Sequence, residues 1–138
     1  MFNNCKTTIA VTDLKRAREF YGKKLGLREL GTEMPEGDLV FACGDHQLYL
    51  YERNKPSGST ATLCSFETDN LETTVEELRG KGIRFEEYDT PEIQTKNGIA
   101  TLGPIKVAWF KDPDGNILAV GNPVQIRPRG TEVEARAR

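Results

Sequence analysis

Apolar residues spaced three or four positions apart predict two amphipathic helices, one in each half of the chain. The first set comprises Leu14, Ala17, Tyr21 and Leu25, with Phe20 beside them, and the second comprises Leu71, Val75 and Leu78. Gly26 and Gly82 follow these sets, at the position where helices commonly end in a left-handed residue. Each pattern therefore predicts a helix that covers one face of a sheet.

The two helical patterns belong to a longer internal repeat. A strand-like run precedes each helix, and Leu14 recurs as Leu71 at an offset of 57 residues. Two further strand-like runs follow in each half, at 38–43 and 46–51 and again at 106–111 and 116–120. The residues Asp-Pro-Asp-Gly at 112–115 are typical of a turn between two strands. The repeated unit is therefore βαβββ.

This repeat predicts an α+β fold in which two tandem βαβββ modules form a curved mixed sheet around a cup. We expect a single domain over residues 1–126, with module one at about 5–54 and module two at about 60–121. Residues 127–138 are expected to be a poorly ordered tail. Residues 87–103 have no counterpart in module one, so they are expected to form an insertion that covers the cup or packs across a dimer.

Composition narrows the class of protein. The 138 residues have a formal net charge of −2, and the positive charge concentrates in the last twelve residues, so the body is acidic. An acidic body without a basic stripe argues against nucleic acid as a partner. No apolar run reaches the ~18 residues of a membrane helix and no secretory leader is visible, so we expect a cytoplasmic protein that does not cross a membrane. Three cysteines without close spacing predict free thiols.

The doubled module resembles the vicinal-oxygen-chelate superfamily, which contains glyoxalase I, extradiol dioxygenases, fosfomycin-resistance enzymes and bleomycin-resistance proteins. Two segments carry the resemblance: residues 11–27, with Val-Thr-Asp-Leu, Phe-Tyr and Leu-Gly-Leu, and residues 109–116, Trp-Phe-Lys-Asp-Pro-Asp-Gly-Asn. The resemblance implies paired modules, a common dimeric state, and, in the enzymes, a divalent metal held in the cup by His and Glu side chains.

The metal-ligand positions that the resemblance implies hold other residues in this chain. The first-strand histidine falls on Lys6, its second-module equivalent on Leu63, and the last-strand glutamate on Ala119. A catalytic Zn, Ni or Fe site needs about three His, Glu or Cys ligands. We therefore expect no metal and no other cofactor.

Strand alternation indicates which side chains replace the metal in the cup. Lys6 and Leu63 mark the cup face, Thr8 and Glu67 share their strand parity, and the turns place aromatic residues beside them. The expected ligand-binding residues are Lys6, Thr8, Phe41, Tyr49, Tyr51, Leu63, Glu67, Trp109 and Ala119. An aromatic lining with a few polar anchors is typical of a small-molecule pocket. The same aromatics could instead fill a dimer interface or a closed core.

Three functions remain open from the sequence. The first is a metal-free protein, similar to the bleomycin-resistance branch, that binds a small planar or aromatic molecule. The second is an enzyme of the lyase, isomerase or dioxygenase type that uses Lys6, Glu67, Tyr49 or a cysteine as acid, base or nucleophile. The third is a dimeric scaffold or sensor without catalysis. No catalytic constellation can be assembled, so catalytic residues stay unassigned and binding is preferred over catalysis. Open sheet edges and an apolar cup favour closure against a partner module, either within the chain or from a second subunit, and we expect a homodimer.

Overall fold

The computed structural model describes residues 1–129, and the predicted tail lies for the most part outside them. Within residues 1–129, nine strands and two helical regions follow one another. They are β1 (Thr7–Val11), α1 (Leu14–Ala17) continued by a π-helical segment (Arg18–Lys24), β2 (Arg28–Gly31), β3 (Asp38–Cys43), β4 (His46–Glu52), β5 (Thr62–Glu67), α2 (Leu71–Gly80), β6 (Thr95–Lys96), β7 (Ile99–Leu102), β8 (Ile105–Lys111) and β9 (Ile117–Gly121).

The strands form two mixed sheets that repeat one topology. The first sheet has the order β1-β4-β3-β2 and the second has the order β5-β9-β8-β7-β6. In each sheet the first strand pairs parallel with the last strand of its module, and the other pairs are antiparallel. The predicted α+β fold of two βαβββ modules is confirmed. Among residues 1–129, no helix is both long and apolar enough to span a bilayer.

Both helices begin and end where their local chemistry requires. The Asp13 side chain accepts the backbone N–H of Arg16 and caps α1, while Asn70 accepts the N–H of Thr73 and caps α2. Gly26 and Gly82 have φ angles of 73° and 89°, as expected for residues that terminate helices in the left-handed region. Ala17, Phe20 and Tyr21 of the first helix are buried, which confirms its predicted apolar face.

One hydrophobic core joins the two modules. The inner faces of both sheets and the buried faces of both helices contribute to it, and the ring of Phe20 lies 6.3 Å from that of Phe110 between centroids. The strand residues of this core are Ile9, Val11, Leu39, Phe41, Leu48, Leu50, Ala108, Phe110, Leu118 and Val120. The opposite face of each sheet is therefore an outer face, turned away from this core.

Phe41 lies on the inner face, so its prediction as a cup residue is wrong. The two-residue turn after β3 sets Cys43 opposite His46 and Phe41 opposite Leu48. Residues directly opposite in an antiparallel pair share a face, and Leu48 belongs to the core. Phe41 is 0% exposed, and its ring centroid lies 6.4 Å from that of Tyr21.

The segment predicted as an insertion is in large part sheet. Residues 99–102 form β7, which pairs with β8, and β6 extends the sheet by a further short strand. Gly98 and Gly103 have φ angles of 81° and 64° and make the turns at both ends of β7. The segment therefore widens the second sheet, and residues 87–94 are the part of it that precedes β6.

The turn between β8 and β9 attaches module two to the edge of module one. The side-chain amide of Asn116 donates to the carbonyl oxygen of Ala10 at 3.0 Å. The Asp114 carboxylate accepts the backbone N–H of Thr12 at 3.0 Å. The Asp-Pro-Asp-Gly-Asn sequence thus serves as a connector between modules as well as a turn.

Candidate functional site

The outer face of the first sheet presents a stacked pair of tyrosines. The rings of Tyr49 and Tyr51 lie 6.3 Å apart between centroids with an interplanar angle of 17°. The parallel register places Thr8 beside Tyr49 and Ala10 beside Tyr51. Leu48 and Leu50 take the inner face, so alternation along β4 directs both tyrosines outward. Both tyrosines are half-buried, which leaves part of each ring accessible to a ligand.

Lys6 lies over the ring of Tyr49. Its ammonium nitrogen is 4.5 Å from the Tyr49 ring centroid, within the range of a cation–π interaction. The same ammonium forms an ion pair with the carboxylate of Glu33, in the loop between β2 and β3. The structure thus brings together Lys6, Thr8, Tyr49 and Tyr51 from the predicted site.

A buried carboxylate fixes the hydroxyl of Tyr49. Oδ2 of Asp38 accepts hydrogen bonds from the Tyr49 hydroxyl at 2.8 Å and from the backbone N–H groups of Met34 and Glu33 at 2.9 and 3.2 Å. Asp38 is 3% exposed, and its Oδ1 is buried without a hydrogen-bond partner. Burial alone would raise the pKa of Asp38, but these hydrogen bonds and the Lys6 charge hold it below its ordinary value. Hydrogen bonding to Asp38 in turn raises the pKa of Tyr49.

The outer face of the second sheet presents a different aromatic pair. Trp109 is half-buried and lies opposite Ala119 in the antiparallel register, so the two share this face as predicted. The ring of Tyr88 packs edge-on against Trp109, with centroids 5.4 Å apart and an interplanar angle of 84°. Burial, followed by the charge of Glu86, raises the pKa of Tyr88.

Two predicted site residues on β5 lie elsewhere. The register between β5 and β9 shifts between Thr62 and Cys64, so Leu63 is a bulge residue and packs against the hydrophobic core. Strand alternation therefore fails at Leu63, because a bulge inserts a residue that pairs with none. Glu67 is exposed at the sheet edge and lines a cavity of about 370 Å³ between the modules together with Cys43.

The residues at the family's metal positions do not fit a metal ion. Lys6 is engaged as a cation by Glu33, Leu63 packs on the core, and Ala119 has no donor atom. Within residues 1–129, no group of three or more His, Cys, Asp or Glu side chains is placed to hold a metal. His46, the only histidine, is exposed, and its Nε2 lies 2.9 Å from the Thr7 hydroxyl.

The two aromatic pairs are separate within one chain. Aromatic contacts in the described part of the chain join Tyr49 to Tyr51 and Tyr88 to Trp109, and none joins one pair to the other. A cavity of about 290 Å³ is lined by Tyr51 with residues 53–57, and a cavity of about 660 Å³, lined by residues between 91 and 102, includes none of these four aromatic residues. A single chain thus presents two separate aromatic pairs.

Sequence reasoning missed Asp38, Glu33 and Tyr88. A signal existed for Asp38, because a charged residue directly before the apolar run Leu-Val-Phe shares its strand parity with an outer-face position. Glu33 and Tyr88 lie outside the regular strands, where alternation carries no information. Their partners become visible only once the chain is folded.

The topology and the shared core define the class of protein: a tandem βαβββ fold of the vicinal-oxygen-chelate type. The model of the Glyoxalase/Bleomycin resistance protein/Dioxygenase superfamily matches residues 6–120. The chain belongs to this superfamily.

Solved structures share the fold at low sequence identity. A superfamily member from Sphaerobacter thermophilus is 22% identical with a TM-score of 0.67, and the match covers 89% of this chain and 98% of that one. A fosfomycin resistance protein from Listeria monocytogenes is 13% identical with a TM-score of 0.66, covering 92% and 95%. An antibiotic binding protein from a Streptomyces species is 22% identical with a TM-score of 0.62, covering 90% and 99%.

Proposed function

We propose that this protein binds a small planar aromatic molecule without using a metal. The observation that carries the proposal is the half-buried, stacked pair of Tyr49 and Tyr51 on a sheet face that also holds the Lys6 cation. Such a face offers a flat apolar platform with one polar anchor, which is the usual composition of a small-molecule site. Trp109 and Tyr88 supply a second aromatic surface of the same kind.

The energetics favour a flat ligand over a flexible one. Aromatic side chains bury large areas at low entropy cost, and each stacked or edge-on pair contributes roughly 0.5–1.5 kcal/mol beyond that area. The Tyr49 hydroxyl is held by Asp38, so this ring is positioned before a ligand arrives. Preorganisation of this kind reduces the entropy lost on binding.

A homodimer completes the site in this proposal. Each chain would carry two half-sites, one at Tyr49 and Tyr51 and one at Tyr88 and Trp109, and strands β2 and β6 are edges of the two sheets. A twofold axis would set the tyrosine face of one subunit against the tryptophan face of the other, and would do so twice. Each ligand would then lie between aromatic residues from two chains.

The relatives support small-molecule binding as the broader class. One structure with this fold is an antibiotic binding protein and another is a fosfomycin resistance protein. Binding is favoured over catalysis here because the family's metal positions hold Lys6, Leu63 and Ala119.

The test is calorimetric titration of the full-length protein with a panel of planar aromatic compounds. Tyr49→Ala and Trp109→Ala should each weaken binding of a hit about ten-fold, near 1.4 kcal/mol. Phe2→Ala is the matched control, because Phe2 is an aromatic residue that is 89% exposed and belongs to no strand. A panel without a single binder, or unchanged affinity in both variants, would contradict the proposal.

A further inference from the structure

Glu33 occupies the position where an acidic group of a ligand would lie. Its carboxylate pairs with the Lys6 ammonium, which itself lies 4.5 Å from the centre of the Tyr49 ring. A planar ligand stacked on the tyrosine pair would therefore meet a cation already neutralised by the protein's own carboxylate.

The ion pair between Lys6 and Glu33 is easily exchanged. The side chains are 34% and 43% exposed, and exposed ion pairs contribute little because water and salt screen them. Glu33 lies in a loop whose residues 32–36 are all exposed. Gly31 and Gly37 flank this loop with φ angles of 138° and 88°, so both ends adopt conformations that favour glycine.

Asp38 keeps the loop near Lys6 while Glu33 is displaced. Its Oδ2 accepts the backbone N–H groups of Glu33 and Met34, and neither bond involves the Glu33 side chain. The carboxylate of Glu33 can therefore leave Lys6 by side-chain rotation, without release of the loop backbone.

The charge balance favours a ligand with one negative charge. Lys6 faces the carboxylates of Glu33 and Asp38, and a monoanion that replaces Glu33 leaves the charge around Lys6 unchanged. A dianion would add a charge near the buried Asp38 carboxylate, and the Arg53 guanidinium lies over the Tyr51 ring, 6.0 Å from its centroid, rather than over Tyr49. A neutral aromatic would gain no charge–charge attraction from Lys6.

We propose that Glu33 is a built-in competitor for an anion subsite at Lys6, and that the ligand is a planar aromatic acid with a single negative charge. This inference rests on the proposed function and names its ligand class. Lys6 selects the acid, and Glu33 sets how tightly the acid binds.

The test uses naphthoate as the probe and its neutral amide, naphthamide, as the isostere, each titrated calorimetrically against the full-length protein. Glu33→Gln should tighten naphthoate binding by about two- to five-fold, the range expected for loss of an exposed competing ion pair, and should leave naphthamide unchanged. Lys6→Met should abolish the preference for naphthoate and also the gain from Glu33→Gln. Tighter binding on removal of a carboxylate is a result that a merely structural role for Glu33 does not produce.

The matched control is Glu29→Gln. Glu29 is an exposed glutamate on β2, paired with Arg18, and its removal changes the net charge by the same amount. If Glu29→Gln tightens naphthoate binding as much as Glu33→Gln does, the gain comes from the change in net charge and the inference is wrong.

Equal affinity for naphthoate and naphthamide would overturn the anion subsite while leaving aromatic binding intact. Absence of binding by both probes would overturn the inference, and the separate aromatic panel would then decide the proposed function.

Discussion

The hydroxyl of Tyr21 donates a hydrogen bond of 2.7 Å to Oδ2 of Asp112, and both residues are buried. The bond joins the first helical region of module one to the turn between β8 and β9 of module two. Burial and the Asp112 charge raise the pKa of Tyr21 far above its ordinary value, so the phenol stays a donor. Asp112 also accepts the side-chain amide of Asn116 and two backbone N–H groups, which compensates its burial.

Tyr21→Phe should destabilise the protein by about 1.5–3 kcal/mol, because it removes a hydrogen bond to a charged, buried acceptor. Urea denaturation followed by circular dichroism measures this change. Tyr51→Phe is the control, since the Tyr51 hydroxyl makes no hydrogen bond within residues 1–129 and should change stability by less than about 0.5 kcal/mol. Equal stability of the two variants would show that the bond between modules contributes nothing.

Cys64 should be the slowest of the three thiols to react. Burial, followed by the charge of Cys43, raises the pKa of Cys64 to about 11 from 9.0, which lowers its thiolate population about 100-fold at neutral pH. Timed alkylation with iodoacetamide and peptide mass spectrometry should show exposed Cys5 modified first and Cys64 last. The protein unfolded in urea is the control, and there the difference should disappear. A Cys64 rate equal to that of Cys5 in the folded protein would contradict the assignment.

Asp38 should make the stability depend on acid pH. Its pKa in the folded protein lies below the ordinary value of 3.8, so its stabilising contribution is present above that value and is lost as pH falls through the folded pKa. Urea midpoints measured from about pH 6 down to about pH 3 should fall more steeply for the wild type than for Asp38→Asn. Parallel curves would mean that the Asp38 carboxylate has the same pKa in the folded and unfolded chains.

Mixing the two weakened variants in equal amounts should restore full affinity at about a quarter of the binding sites if the site lies between subunits, because about half of the dimers are then mixed. Tyr49→Ala damages one half-site and Trp109→Ala the other, so a mixed dimer contains one intact site and one doubly altered site. Titration of the mixture after denaturation and refolding together measures the recovered stoichiometry. Recovery requires a dimer, which light scattering checks independently. A monomeric mass, or no recovery in a proven mixed dimer, would contradict the shared site.

Purified protein should contain far less than one Zn, Ni, Mn or Fe per chain. Lys6, Leu63 and Ala119 stand where the superfamily's enzymes carry ligands, and two of these side chains have no donor atom. Elemental analysis by mass spectrometry, before and after dialysis against a chelator, measures the metal content. About one tightly held metal per chain, with binding lost on its removal, would contradict the expectation.

The sequence predicted the fold better than it predicted the site. Hydrophobic periodicity and the internal repeat predicted the βαβββ modules, because both can be recognised along the sequence without knowing which residues meet in the folded chain. Tyr49, Tyr51 and Trp109 were placed on the outer faces by alternation, which holds wherever a strand is regular. The prediction for Phe41 is wrong because the two-residue turn after β3 pairs Phe41 with Leu48, which faces the core. The prediction for Leu63 fails because a bulge interrupts the alternation of side chains along β5.

The pairing of loop residues was beyond any local pattern. Glu33 meets Lys6 across 27 residues of chain, and Tyr88 meets Trp109 from a connection without regular structure. Contacts of this kind depend on how loops close over a finished sheet. The site residues that lie on strands could therefore be predicted from the sequence, whereas those that lie in loops could not.

The link between Tyr21 and Asp112 spans 91 residues, which has a consequence for the order of folding during synthesis. A ribosome releases Tyr21, Phe20 and the rest of the first helix long before it has made the turn that receives them. Until then the apolar side of module one has no partner, so the half-made chain exposes surface prone to aggregation. We therefore expect aggregation during synthesis to be most frequent while only the first module has been made.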